Sequence, residues 1–218
     1  MHNIHLLSIL LLAVSSNLDN IGVGTAYGTR KITIPFSSNI IIALITSTGT
    51  WLSMLVGMTI SKMWNLKLAG YLGASIIIAV GFWVLFSETG IIRKERSSDL
   101  SEAHHASDIS GKYAFFKKIH AILDNPIVAD ADFSGHIDPR EAVLLGFALT
   151  MNNLANGVCA GLMRLDPSLT TFFTGILSIV TIWVGIAMGY SGSHWLGKLA
   201  GPISGMLLIL IGIIELLT

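Results

Sequence analysis

The sequence has 218 residues, of which 52% are hydrophobic and 12% charged, and its mean hydropathy is +0.71. Soluble domains carry about 25% charged residues, so this composition indicates a membrane-embedded chain rather than a soluble enzyme or a disordered protein. The net charge is zero and no basic face is evident, which disfavours a nucleic-acid binder. A single cysteine, Cys159, excludes an intramolecular disulfide and a cysteine-rich metal site.

Six segments are apolar over the length that a helix needs to cross a bilayer, about 20 residues. In chain order they cover residues 4–27, 38–60, 67–87, 141–163, 169–190 and 196–217. The first segment follows a start without Lys or Arg, unlike a signal peptide, so we expect it to remain as a span. Residues 90–139 hold 14 of the 26 charged residues and form a long loop between the third and fourth spans.

The distribution of Lys and Arg predicts how the chain lies in the membrane. With both termini outside, ten of these residues fall on the inner side and three on the outer side. Positive charge accumulates on the cytoplasmic side of membrane proteins, so the central loop of this multi-pass protein is predicted to be cytoplasmic.

The two halves of the chain resemble each other at a nearly constant offset. Aligned pairs include Asp19/Asn152, Asn20/Asn153 and Gly24/Gly157 at 133 residues, Trp51/Trp183 and Gly57/Gly189 at 132, and Gly70/Gly201 and Gly81/Gly212 at 131. Each half has three spans, so the second copy must enter the membrane from the opposite side. The predicted fold is an all-α integral membrane protein of six transmembrane helices in two inverted three-helix repeats, a common transporter plan.

This duplication divides the chain into four parts. The first three-helix repeat covers residues 1–89, a cytoplasmic linker loop covers 90–129, an EF-hand-like loop covers 130–141, and the second three-helix repeat covers 141–218. Glycine pairs four residues apart recur in the spans and predict close packing of helix backbones. These pairs are Gly24/Gly28, Gly157/Gly161, Gly185/Gly189 and Gly201/Gly205.

Polar residues in the first and fourth spans predict a transport site near the middle of the membrane. Asp19 is the one carboxylate well inside an apolar run, and a buried charge there is costly enough to suggest a function. Ser15 and Ser16, four and three residues earlier, are predicted to lie on the same helix face as Asp19. The predicted site is completed by amide side chains, whose oxygens suit Mg²⁺, Ca²⁺ or Mn²⁺. These residues are Asn17, Asn20, Asn152, Asn153 and Asn156.

Two alternatives remain for the polar residues of the spans. The asparagines could instead join helices by hydrogen bonding. In the second span, Thr46, Ser47, Thr48 and Thr50 could line a pathway, but we expect most of their hydroxyls to bond back to helix carbonyls.

Residues 130–141 match the twelve-residue calcium loop of EF-hands. The predicted ligands of a divalent cation, Ca²⁺ or Mn²⁺, are Asp130, Asp132, Ser134, the main chain of His136, Asp138 and Glu141. Gly135 occupies the position of the sharp turn. Pro126, four residues before the loop, should interrupt the helix that enters it. The alternative interpretation of these acidic residues is a helix cap that binds no ion.

Two stretches resemble a known family. Residues 17–32, which contain Asn17-Leu18-Asp19-Asn20, and residues 129–153 resemble the YtaF-type sporulation membrane proteins, relatives of the MntP-type manganese efflux pumps and, more distantly, of the LysE exporter superfamily. The resemblance implies a six-span plasma-membrane protein and divalent-cation efflux. Asp19 matches the intramembrane Asp of the pumps' first span. Where their fourth span carries a second Asp, this chain has Asn152.

The leading hypothesis is an exporter of a divalent cation, with Mn²⁺ as the first candidate and the 130–141 loop as its capturing or sensing element. The alternatives are a Ca²⁺-responsive membrane scaffold or regulator without transport, and an exporter of a small solute. No nucleophile–base pair is visible, so we do not expect an enzyme. The expected partners are a divalent metal ion and the lipid bilayer, without nucleic acid, and a homodimer is compatible with the sequence.

Overall fold

The computed structural model describes residues 2–63, 66–88, 118–123, 125–192 and 195–217. Within these ranges, the side chains of residues 2–5, 66–67, 86–88, 152, 195–198 and 200–201 lie outside the described part. The described helices are α1 (His2–Ser15), α2 (Leu18–Thr29), α3 (Phe36–Met63), α4 (Leu66–Glu88), α5 (Pro139–Leu162), α6 (Pro167–Tyr190) and α7 (Trp195–Leu217).

Several of these helices are long and apolar enough to cross a membrane. Four segments qualify outright, namely Leu6–Thr29, Phe36–Met63, Leu68–Leu85 and Pro167–Tyr190. The two parts of α5, Pro139–Met151 and Asn153–Leu162, qualify together as a fifth, and Pro202–Leu217 in α7 is a shorter apolar helix. The described residues contain only one isolated β-bridge, so the predicted all-α class of membrane protein is confirmed.

Helix α2 packs against α6 through glycines. Gly24 and Gly28 of α2 lie opposite Gly185 and Gly189 of α6. A Cβ atom added at Gly28 would lie 2.2 Å from the carbonyl oxygen of Ile186, so the two backbones are in direct contact. The predicted role of these two glycine pairs in close helix packing is therefore confirmed.

Helix α5 packs against α3 in the same manner. Gly157 lies against Ser53, and Gly161 lies against Gly57. A Cβ atom at Gly161 would lie 2.2 Å from the carbonyl oxygen of Met54. These contacts repeat the α2–α6 contacts at the offsets of 133 and 132 residues that relate the two halves of the sequence.

The helices α4 and α7 form the third close pair. A Cβ atom at Gly81 would lie 2.7 Å from the Gly205 carbonyl oxygen, and one at Gly205 would lie 2.7 Å from the Gly81 carbonyl oxygen. A second contact joins Gly212 to the carbonyl oxygen of Ala74, at 2.8 Å from an added Cβ. The offset of 131 residues relates the two contacts to each other, because Gly81 corresponds to Gly212 and Ala74 corresponds to Gly205.

The turns after α2 and α5 also match. Lys31 and Arg164 adopt left-handed backbone conformations, with φ of 60° and 56°. The Lys31 N–H donates to the Gly28 carbonyl and the Arg164 N–H to the Gly161 carbonyl, both at 3.1 Å. Such caps satisfy carbonyls that a helix end would otherwise leave unpaired.

The predicted linker, residues 90–129, lies largely outside the described residues. Its described part is helical over residues 118–123 and continues as a short 3-10 helix, Pro126–Ala129, that leads into the 130–141 loop. The Asn125 side chain caps this short helix by accepting from the Ile127 N–H at 3.3 Å. The helix that enters the loop thus ends before Pro126, as predicted.

Candidate functional site

The first span is broken at its centre. Helix α1 ends at Ser15 and α2 begins at Leu18, with Asn17 as the N-cap. The Asn17 amide donates to the Ala13 carbonyl at 2.7 Å, a local bond of the kind with which asparagine competes against helix continuation. This two-residue turn interrupts the helix, while Leu6–Thr29 as a whole still qualifies as one span, in accord with the span predicted over residues 4–27. Helix α5 bends by 49° at Asn152, close to the corresponding place in the second half.

Asp19 lies in the first turn of α2 and is half-buried. Its Oδ1 accepts a hydrogen bond of 2.9 Å from the Asn20 N–H. The amino terminus of a helix favours negative charge, so the break provides Asp19 with a favourable electrostatic position inside the span.

Ser15 and Ser16 bond to helices of the second half. The Ser15 hydroxyl donates to the Ser204 carbonyl of α7 at 3.0 Å, and Ser16 accepts from the Asn156 amide at 3.2 Å. The predicted position of the two serines on the same face as Asp19 stays a prediction.

Two asparagines of the first span bind α6. The Asn20 amide donates to Asn17 Oδ1 at 3.0 Å and to the Ser178 hydroxyl at 3.3 Å. The Asn17 amide donates to the Thr174 carbonyl at 3.3 Å. Asn17, Asn20 and Ser178 are fully buried. Ser178 was not recognised from the sequence, because hydroxyls in apolar spans more often bond to their own helix, and Thr174 contributes only its main-chain carbonyl.

Asn39 is a further polar residue that the sequence analysis missed. It lies in the first turn of α3, is fully buried, and donates to the Ile179 carbonyl at 3.1 Å. Asn39 and Asn20 thus reach consecutive residues of α6 from two different helices. The sequence signal for this residue was an amide near the start of an apolar segment. That position is also typical of a solvated helix end, so it did not indicate a buried residue.

Three amide oxygens in this region lack a donor among the described residues. They are the Oδ1 atoms of Asn20, Asn39 and Asn156, each on a buried side chain. Leaving a buried acceptor unsatisfied costs about 1–3 kcal/mol. Neutral amide oxygens beside a carboxylate are the ligand type that hard cations prefer, so the donor set fits such an ion.

The remaining predicted members of this site are less informative. Asn153 is buried, and its Nδ2 has no acceptor among the described residues. The side chain of Asn152 lies outside the described part, so its predicted meeting with Asp19 stays a prediction. On α3, the hydroxyls of Thr46, Thr48 and Thr50 bond back to their own helix, as expected.

The 130–141 loop brings three carboxylates together. Oxygens of Asp130, Asp132 and Glu141 lie within 4.8 Å of one another. Asp130 accepts from the Ser134 and Gly135 N–H groups, at 3.1 and 3.2 Å. Each carboxylate oxygen has two lone pairs, so these bonds orient Asp130 and leave its capacity to bind a cation.

Glu141 is fixed by both ends of the loop. Its Oε1 accepts from the Ala131 N–H at 2.7 Å, and its Oε2 accepts from the Asp138 N–H at 3.1 Å. The second bond is half of a capping box at the start of α5. Glu141 therefore caps the helix, as the alternative without an ion predicts, and it is also the side chain that would serve as the bidentate ligand.

The other predicted ligands lie around this carboxylate group. Gly135 makes the turn with φ of 77°, and the Ser134 hydroxyl donates to the His136 carbonyl at 2.9 Å. The Oδ1 atom of Asp138 lies 3.2 Å from the Nε2 atom of His136. The Ser134 N–H donates to Asp132 Oδ1 at 3.0 Å, and hydrogen bonding by Ser134 lowers the pKa of Asp132 and favours its charged form.

The loop is bound to the connection between α2 and α3. The Thr33 N–H donates to the Gly135 carbonyl, and the Ile137 N–H donates to the Thr33 carbonyl, both at 3.0 Å. The Ser38 hydroxyl donates to the Ile137 carbonyl at 2.7 Å. Tyr27, fully buried at the end of α2, donates to the Pro126 carbonyl. The carboxylate group is therefore coupled to both neighbouring helices of the first half.

Comparison with known proteins identifies relatives along the whole chain. The family described as "Putative manganese efflux pump" matches residues 123–216. "Probable sporulation protein YtaF" of Bacillus subtilis is 33% identical over 213 residues, covering 97% of this chain and 99% of that protein. "Putative manganese efflux pump MntP" of Bacillus pumilus is 21% identical, over 95% of this chain and 93% of that protein. No solved structure gives a significant match. The chain belongs to the YtaF family of sporulation proteins, which is related to the MntP efflux pumps.

Proposed function

We propose that this protein exports a divalent cation, with Mn²⁺ as the first candidate. The observation that carries the proposal is that the turn in the first span places Asp19 next to Asn20, whose buried amide oxygen has no donor among the described residues. The names of the MntP relatives support the choice of manganese. The transport site would consist of Asp19 with the amides that surround the break and the bend, namely Asn17, Asn20, Asn152, Asn153 and Asn156, to which we add Asn39.

The proposed architecture is six spans in two inverted three-helix repeats. In support, the offset between the two halves of the sequence converts the α2–α6 contacts into the α5–α3 contacts. It also converts each of the two α4–α7 contacts into the other. The turn between α1 and α2 and the bend in α5 also support this plan, since inverted-repeat transporters use discontinuous helices to supply polar groups to an ion at the midplane. Both termini would lie outside and the 130–141 loop in the cytoplasm, in accord with the distribution of Lys and Arg.

Asp19 would carry the ion and the coupling proton in turn. The amino terminus of a helix favours negative charge, so the Asp19 carboxylate can bind the cation. On the outer side, protonation of Asp19 would release the ion and return a neutral side chain through the membrane. No ATP-binding motif occurs in the sequence, which supports coupling to protons or to the membrane potential.

The 130–141 loop would bind Ca²⁺ or Mn²⁺ before transport. Its oxygen donors fit such an ion: Asp130, Asp132 and Glu141 are already close together. The cation would offset the repulsion between their charges. Because the loop is bonded to Thr33 and Ser38, its occupancy would stabilise the contact between α3 and α5.

A second candidate is a Ca²⁺-responsive membrane regulator without transport. The observation that favours it is the agreement of the loop with an EF-hand, together with its bonds to the α2–α3 connection. In that case the loop would be the active element, and Asp19 would serve packing.

Reconstitution separates the two candidates. Purified protein would be placed in liposomes that contain a metal-sensitive dye, and Mn²⁺ and Ca²⁺ influx would be followed for wild type and for Asp130→Ala with Glu141→Ala. We expect Mn²⁺ flux with wild type and a reduced rate with the loop variant. Absence of flux for both ions, with cation binding that the loop variant loses, would reject transport in favour of the regulator.

A further inference from the structure

The closest helix contacts join one helix from each half of the chain. Helix α2 is interlocked with α6 and α5 with α3, and in both pairs an added Cβ atom would come within 2.2 Å of a facing carbonyl oxygen. Protein interiors at this density resist small displacements, because any rotation within a pair would drive backbone atoms together. Each pair is therefore a rigid unit.

The boundary between the two pairs has a different character. Asn39 crosses it to the Ile179 carbonyl, and Asn156 donates to Ser16 in the turn that precedes α2. A groove of about 430 Å³ opens between α3 and α6, with Ser47 and Gly175 in its lining. Elsewhere the boundary is formed by side chains, including a buried core that Tyr27, Ile42 and Ile182 share, whereas backbones meet directly within each pair. Packed side chains allow small sliding movements that directly facing backbones resist.

We infer that the α2–α6 pair and the α3–α5 pair move against each other as the two rigid units of the transport cycle. This inference rests on the proposed transport function. It differs from the motion that a duplicated sequence suggests, in which residues 1–89 would rock against residues 141–218. Each unit takes one helix from each repeat, and movement at the boundary would rearrange Asn20, Asn39 and Asn156 around the ion.

Two disulfides test the inference in a background without Cys159, the one native cysteine, replaced by Ala. Ser47→Cys with Gly175→Cys would link the two units, because the Ser47 Cβ lies 3.7 Å from a Cβ at Gly175. Gly49→Cys with Thr150→Cys would link α3 to α5 within one unit, at 3.3 Å between the corresponding atoms. Cβ atoms of disulfides lie about 3.5–4.5 Å apart, so both pairs are near the required geometry.

Mn²⁺ flux into liposomes would be measured before oxidation, after oxidation and after reduction, with cross-linking scored on gels. The inference predicts that the 47–175 bond reduces flux at least tenfold, that reduction restores it, and that the 49–150 bond leaves flux within twofold. Recovery on reduction shows that the variant is folded. Unchanged flux with the 47–175 bond, or equal loss with both bonds, would overturn the inference. Absence of flux in the unoxidised background, and in wild type as well, would instead reject the proposed function.

Discussion

The Asn156 amide on α5 donates a hydrogen bond of 3.2 Å to the Ser16 hydroxyl, at the break between α1 and α2. This bond joins a helix of the second half to the point where the first span loses its regular structure. The Asn156 Oδ1 is buried and has no donor among the described residues. The break, the second half and the candidate ligands are thereby brought together.

Replacement of Asn156 tests whether that oxygen is a ligand. Asn156→Leu retains the volume and removes both polar atoms, and we expect the apparent KM for Mn²⁺ to rise about tenfold, equivalent to about 1.4 kcal/mol. Thr181→Val is the control, because its hydroxyl bonds only to carbonyls of its own helix. An unchanged KM in Asn156→Leu would remove this residue from the site.

Asn39 offers a separate test of the residue that the sequence analysis missed. Asn39→Leu removes the bond to the Ile179 carbonyl and the free amide oxygen, so we expect Mn²⁺ flux to fall at least tenfold. Ser37→Ala, on an exposed neighbour in the same helical turn, should leave flux unchanged. Equal rates for both variants would show that Asn39 has no part in transport.

The glycine contacts predict a difference in stability. Gly28→Ala would force a methyl group to 2.2 Å from the Ile186 carbonyl oxygen, and overpacking of this kind costs about 1–3 kcal/mol. Gly70→Ala has open space around the new methyl group and should be neutral or slightly stabilising. Thermal unfolding in detergent would measure both. The packing account is contradicted if Gly28→Ala is as stable as Gly70→Ala.

Cation binding by the 130–141 loop can be measured without transport. Glu141→Gln keeps an acceptor for the Asp138 N–H and removes one charge, so we expect at least tenfold weaker binding of Ca²⁺ and Mn²⁺ while α5 remains capped. Calorimetry on the detergent-solubilised protein would give the affinities. Asp166→Asn, at the exposed N-cap of α6, is the matched control. Identical affinities for the two variants would argue against a cation site in the loop.

The sequence was sufficient for the features that depend on hydropathy and local spacing. Apolar length predicted the helices, glycine spacing predicted close backbone packing without identifying the partner helices, and the EF-hand pattern predicted the approach of Asp130, Asp132 and Glu141. Pro126 was correctly assigned as the end of the entering helix, because the restriction that proline imposes is local.

The features that were missed depend on tertiary contacts. The break at Ser16 and Asn17 interrupts a run of apolar character, which hydropathy reads as one helix. The role of Asn39 follows from its approach to Ile179 on a distant helix. The bridge between Thr33 and His136 likewise joins residues 103 positions apart in the chain, and nothing in the spacing of either segment indicates it.

The central claim is that Asp19 and the amides around it carry a divalent cation across the membrane. The most direct measurement is Mn²⁺ uptake into dye-loaded liposomes by wild type, Asp19→Asn and Asp166→Asn, at matched protein content. The account predicts uptake by wild type and by Asp166→Asn, which retains a good helix cap, and a loss of at least tenfold in Asp19→Asn. Equal uptake by all three proteins, or none by wild type, would contradict it.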